Sequence, residues 1–284
     1  MAVLARGDDP PQTPPADGGT SRPLVPRWPG PALQAFRCWL TVYRRIWRSS
    51  IWSSVLGPIC YLGALGFGLG TLVDKHSTAS LGGVSYLAFV APAILASGVM
   101  NTAMQEASYP VFGSLKWNRI YVGAQSSPLR PADIFHGHML FVALRLTMNC
   151  AIFLAVSAIL GAVQSPWALA ALPVAVLTGI TFNAVIEAWA ITRTRDTSFA
   201  VIFRFGMIPL FLFSGTFFPI TELPGWLQPV AYLTPLWHGV DLCRSLSLGT
   251  ATVGETLIHL GYLAGLAAIG VAAGNRTYRR RLYV

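Results

Sequence analysis

Apolar stretches long enough to cross a bilayer recur along the chain at about 51–72, 84–106, 137–160, 168–191, 200–220 and 253–274. A membrane-crossing helix needs ~17–25 such residues, so the pattern predicts six spans. Ahead of the first, residues 31–48 read PALQAFRCWLTVYRRIWR. There Phe36, Leu40, Tyr43 and Trp47 recur at helical spacing, and Arg37, Arg44 and Arg48 fall on an adjacent face. This predicts an amphipathic helix lying in the membrane interface. Residues 217–249 are apolar but punctured by Pro219, Pro224, Pro229 and Pro235. Interior prolines remove helical hydrogen bonds and clash with the preceding turn. The expectation is therefore a broken, re-entrant set of short helices at the outer leaflet, its irregular backbone shielded by protein. Residues 1–30, rich in Pro, Gly, Asp and Thr, predict a disordered tail. They lack the apolar core of a cleavable signal peptide.

Composition sharpens this picture. Hydrophobic residues make up 54% of the chain, charged residues 11%, and mean hydropathy is +0.54. Soluble domains carry about 25% charged residues, so lipid has to be the main solvent here. The net charge of +9 lies in short segments between spans, which argues against a nucleic-acid surface. With residue 1 on the cytoplasmic side, sixteen of the twenty Lys and Arg fall in 1–50, 107–136, 192–199 and 275–284. Only Lys75 and Arg244 fall in the outside loops, with Arg145 and Arg204 inside spans, which is the positive-inside pattern and predicts both termini in the cytoplasm. The fold expected is an all-α, multi-pass cell-membrane protein of one transmembrane domain over 31–280.

Four charges are expected within or beside spans: Glu106, Arg145, Glu187 and Arg204. Charge at that depth is costly and is usually paired. Matching depths at ~1.5 Å per residue makes Glu187 and Arg204 expected neighbours, with Arg145 able to reach Glu187 or Glu106. The network is read either as a gate or as a structural ion pair joining helices. His238, Asp241 and Arg244 stand at helical spacing, and a structural hydrogen-bonding role is favoured over catalysis because no nucleophile motif accompanies them. The scattered cysteines Cys38, Cys60, Cys150 and Cys243 form no CxxC pair, so no metal or redox site is expected. No GxxxxGK[ST] phosphate loop occurs, so the chain is expected to hydrolyse no nucleotide itself. The connection at 107–136 carries an amphipathic stretch around 115–122, with Leu115, Trp117, Arg119, Ile120 and Tyr121, followed by Pro128. That content suits a docking surface better than a solvated linker.

Phe218-Pro219, Leu223-Pro224 with Trp226, Ala231, Thr234-Pro235-Leu236, His238, Asp241, Arg244 and Leu248-Gly249 resemble the C-terminal signature of type-two ATP-binding-cassette exporter permeases. Within that family the likeness is to nodulation-factor (lipo-oligosaccharide) and antibiotic exporters, and Ser127-Pro128-Leu129 resembles the family's turn after its docking helix. The resemblance covers 31–280 in layout. It implies a permease that pairs with a second copy or a related chain and docks a cytoplasmic ATPase dimer through 107–136. Its only cofactor, ATP with magnesium, would sit on that partner. It also implies an export route for an amphipathic substrate, with Phe217, Phe218 and Trp226 near the outer mouth. Two other readings stay open: a membrane enzyme using His238 and Asp241 on lipid-linked substrates, and a non-transporting anchor for an ATPase.

Overall fold

The computed structural model describes residues 30–76, 83–124 and 126–282, and the tail expected over 1–30 lies, but for Gly30, outside them. No strand occurs among the described residues. Helix α1 (Gly30–Gly63) continues through a π-helical stretch, Ala64–Gly70, into α2 (Thr71–His76). The remaining helices are α3 (Tyr86–Lys116), α4 (Ile120–Ala124), α5 (Pro131–Ile159), α6 (Ala171–Ala190), α7 (Thr197–Ile202), α8 (Ile208–Phe213), α9 (Gln228–Tyr232), α10 (Pro235–Leu248) and α11 (Val253–Leu282).

Among the described residues five helical stretches are long and apolar enough to cross a membrane: Leu56–Val73, Tyr86–Lys116, Pro131–Ile159, Pro166–Ala190 and Val253–Leu282. The span expected at 200–220 is shorter. It runs from Thr197 to Phe213, 17 residues with a π-helical stretch at Phe203–Met207. At ~1.5 Å per residue it measures about 25 Å, short of a ~30 Å hydrocarbon core. Gly215, at φ 75°, breaks the helix. The turn that follows is buried at Ser214 and Thr216, where Thr216 hydrogen-bonds Ser97 of α3 at 3.1 Å.

α3 is the central helix, with 78% of its span buried against 12% for the first span. Its buried residues Val90 and Met100 pack with Leu146 of α5, Val174 of α6 and Leu236 of α10. Hydroxyls along these helices are satisfied locally, as where Ser97 donates to Ala93 O at 2.7 Å and Thr178 to Val174 O at 2.9 Å. Thr181 also reaches Leu263 O of α11 at 3.1 Å, a polar link between helices in lipid.

The amphipathic segment 31–48 departs from expectation. It is the first part of a helix that runs unbroken to Gly63, and it packs along α5. Trp39 lies against His138 and Phe141, and Tyr43 against Phe141 and the Arg145 guanidinium, so the two helices run in the same chain direction. Gly137 permits this approach, because a Cβ there would lie 2.8 Å from Ala32 O and 2.9 Å from Phe36 N. We expect Gly137→Leu to cost about 1–3 kcal/mol by overpacking this crossing. A melt of the detergent-solubilised protein should fall by roughly 5 °C; an unchanged melt would mean that α1 does not pack there.

In the outer segment three of the four prolines stand at helix starts. Pro219 precedes the 3-10 turn Ile220–Glu222, Pro229 sits in the first turn of α9, and Pro235 opens α10 with Thr234 as its N-cap. These are positions where the missing N–H costs nothing. α10 ends on Gly249 at φ 76°, with the Thr250 N–H on Ser245 O at 2.9 Å.

Candidate functional site

The loop between α3 and α5 is shorter than its sequence suggested. α3 extends to Lys116, beyond the expected span end at 106, and α5 starts at Pro131. Between them α4 is a single-turn helix entered through Arg119, which takes a positive φ of 51°. Tyr121 points inward and is 1% exposed, whereas Trp117 is 59% exposed, and Ile120 and Val122 also face out. Leu115 packs on the buried cluster of Phe112, Tyr121, Phe135, Phe199 and Tyr278, and Pro128 and Arg119 are exposed on the connection. The result is an anchored turn with an exposed aromatic and aliphatic outer face, on which Trp117 packs edge-on against Phe112.

Tyr121 ties that turn to a buried carboxylate. Its ring lies 5.9 Å from that of Tyr278, and its hydroxyl shares a sealed polar pocket with Ser114, Tyr278 and Glu187. Burial and the nearby Glu187 carboxylate hold the Tyr121 phenol far above its ordinary range, so it stays neutral. Glu187, on α6, is fully buried. Tyr278 of α11 donates to its Oε1 at 2.8 Å, Asn183 Nδ2 to its Oε2 at 2.9 Å, and His138 Nδ1 of α5 lies 3.0 Å from Oε2. The expected Glu187–Arg204 pairing does not form. Arg204 is exposed on the π-helical stretch of the fifth span, and the partners of Glu187 come from α5, α6 and α11.

Arg145 pairs with Glu106 instead, through Nη1 and Oε1, with both side chains largely buried. This pair stands in a cavity of about 440 Å³ between α1, α3, α5 and α8. Asn101, Thr102, Gln105 and Asn149 line its end nearer the α3–α5 loop, beside the pair. Ile94, Leu95, Phe153 and Phe211 line the far end, and Pro58 and Tyr61 of α1 form one wall. Cavity and carboxylate thus split the expected four-residue network into an ion pair, a separate buried acid and an exposed cation.

At the opposite end, His238 and His259 approach through their Nδ1 atoms at 2.8 Å, and His259 Nε2 lies 3.4 Å from Asp241. His259 therefore stands between the two residues that sequence spacing had grouped. Tyr262 stacks on His238 at 4.0 Å and Trp237 packs edge-on, so both imidazoles are packed as well as polar. Burial and the facing imidazole hold the His238 ring down to about 4. Arg244 leaves this group. It donates to Phe89 O at 3.1 Å and to Gly215 O at 2.6 Å, and stacks over the Phe89 ring, fastening the outer turn to α3. Phe217 packs edge-on against Phe211, while Phe218 and Trp226 are exposed. No group of three His, Cys, Asp or Glu side chains suited to a metal ion occurs among the described residues.

His138, Asn183, Tyr278, His259 and the amide side chains of the cavity were not singled out from sequence. His138 lies seven residues before Arg145, two helical turns along α5, and only that spacing could have suggested it.

A central helix wrapped by apolar helices, polar groups buried in pairs, and a single-turn helix exposed on the α3–α5 connection define a multi-pass α-helical membrane protein of the transporter-permease type. Residues 34–248 match the family described as ABC-2 type transporter, and the chain belongs to that family as a transmembrane permease subunit. It is 33% identical over 253 residues to "Nodulation protein J" of Rhizobium leguminosarum bv. trifolii, covering 86% of this chain and 94% of that one. It is 30% identical to the protein of the same name from Rhizobium meliloti (strain 1021), over 86% and 94%. It is also 26% identical over 161 residues to "Probable multidrug ABC transporter permease YbhR" of Escherichia coli (strain K12), over 55% and 43%.

Proposed function

We propose that this permease subunit exports an amphipathic substrate, a glycolipid, lipid-linked saccharide or drug, driven by a separate cytoplasmic ATPase dimer. The observation that carries the reading is the outward set of Trp117, Ile120 and Val122 around the inward anchor Tyr121. A transmitting turn needs both a face for a partner and a rigid attachment to the helices it moves. The topology that goes with it has six crossings, the shortest at 197–213, with both termini and the α3–α5 loop cytoplasmic. The distribution of Arg and Lys supports that orientation. Two permease chains, identical or related, are needed to match two ATPase copies, with membrane lipid around them, and ATP with magnesium belongs to the ATPase.

The test is co-purification of the tagged permease with its ATPase in detergent. The double variant W117S/I120S should lose most of the recovered ATPase, about tenfold, since aromatic anchors dominate interface energy. Its own membrane yield and melt should stay unchanged. Undiminished ATPase recovery with the double variant would sink the docking assignment. A permease that binds no ATPase in either form would sink the transporter reading itself.

A further inference from the structure

The two imidazoles at the end of the bundle opposite the docking turn face one another through the same atom. His238 of α10 and His259 of α11 stand Nδ1 to Nδ1 at 2.8 Å, and only one hydrogen fits between two nitrogens at that distance. The Asp241 carboxylate fixes which ring supplies it. It lies 3.4 Å from His259 Nε2, so that nitrogen carries a hydrogen toward it. A neutral His259 then has a bare Nδ1, and His238 donates to it. One further proton can be shared across the contact. A second cannot, because both Nδ1 atoms then carry hydrogen and both rings carry charge.

The rings have no room to turn aside. Both are buried, Tyr262 stacks on His238 at 4.0 Å, and Trp237 packs edge-on against both at 4.8 and 5.2 Å. Nor do other ionisable groups relieve a doubly charged pair. From α9 comes Tyr232, whose ring meets Trp237. From α11 come Tyr262, whose hydroxyl donates to Leu233 O, and Glu255, exposed and held by Thr252. α3 has no ionisable side chain between Tyr86 and Glu106, and α6 has none before Glu187. On α10, Arg244 turns to Phe89 O and Gly215 O, which leaves Asp241 as the carboxylate in contact with the pair.

We propose that the His238–His259 contact is an acid-sensitive latch, fastening α10 to α11 and letting go when both imidazoles are charged. What it secures is the helix that carries Arg244, and through Arg244 the turn at Gly215 that follows the shortest span. Burial and the facing imidazole hold His238 down to about 4, against an ordinary value of about 6.5. The open contact therefore takes up protons more readily than the closed one between those values. The latch is fully fastened above about pH 6.5 and weakens as pH falls toward about 4.

Hydrogen–deuterium exchange of the full-length protein in lipid nanodiscs, at about pH 7.5 and about pH 4.5 and corrected for the intrinsic exchange rate, reads the contact locally. Peptides covering 235–248 are expected to lose roughly tenfold in protection at the lower pH, while α3 peptides over 90–104 keep theirs. His238→Phe retains a ring against Tyr262 and takes up no proton, so its 235–248 protection should not change between the two conditions. His259→Phe removes the facing charge from the other side and decides the matter where the first variant does not fold. An equal loss in α3 overturns the latch in favour of general acid unfolding. Undiminished protection of 235–248 in the wild type at the lower pH overturns it too, as does an acid loss that persists in the folded Phe variants. The wild-type comparison stands without either variant.

Discussion

Glu187→Leu yields little folded permease, whereas Glu187→Gln folds with a modestly lowered melt. The carboxylate is fully buried and serves Tyr278, Asn183 and His138 at once. Leucine leaves those three groups without an acceptor in a site closed to water, and each unpaired group costs about 1–3 kcal/mol. The sum rivals the whole stability of a typical domain, about 5–15 kcal/mol. Glutamine keeps one carbonyl oxygen for the Tyr278 hydroxyl and gives up the ionic component, for a cost of about 1–2 kcal/mol. Fluorescence-detected size exclusion of the two variants from membranes reads the difference directly. Equal, near-native yields of both would show that the buried acid does not hold α5, α6 and α11 together.

The second large effect concerns the pair in the cavity. Arg145→Leu strands the Glu106 carboxylate in a largely buried position, and removing one partner of a buried ion pair costs about 3–5 kcal/mol. The expected fall in melting temperature is about 10 °C. Replacing Glu106 in the same chain, as E106L/R145L, should return most of it, because two apolar side chains leave no charge uncompensated. A double variant no more stable than the single one would mean that the two residues act through other neighbours.

Depth was legible in the sequence, but direction around the helix was not. Rise per residue sets how far a side chain lies below the interface, which is why Glu106, Arg145 and Glu187 were recognised as buried charges. It says nothing of which neighbour a residue faces. Glu187 and Arg204 were matched by depth alone, and the π-helical stretch at Phe203–Met207 belongs to a helix that leaves Arg204 exposed. His138 and Tyr278 come to Glu187 from helices 49 and 91 residues away, with no shared spacing to announce them. The proline-rich segment was read correctly as short helices because proline acts locally. That Pro219, Pro229 and Pro235 would stand at helix starts depended on the turns before them, such as Thr234 capping α10. The connection expected over 107–136 was overextended in its bounds, since α3 continues to Lys116.

Tyr278 lies close to the C-terminal end of α11, where Tyr278 and Leu282 complete the buried cluster beside α4. During synthesis Glu187 enters the bilayer long before its phenolic partner has been made. A nascent chain therefore carries an unfinished polar site at Glu187 until α11 is in place. The Tyr278 side chain thus couples the seating of α11 to that of α4, since without it Glu187 loses a donor and Tyr121 its ring neighbour.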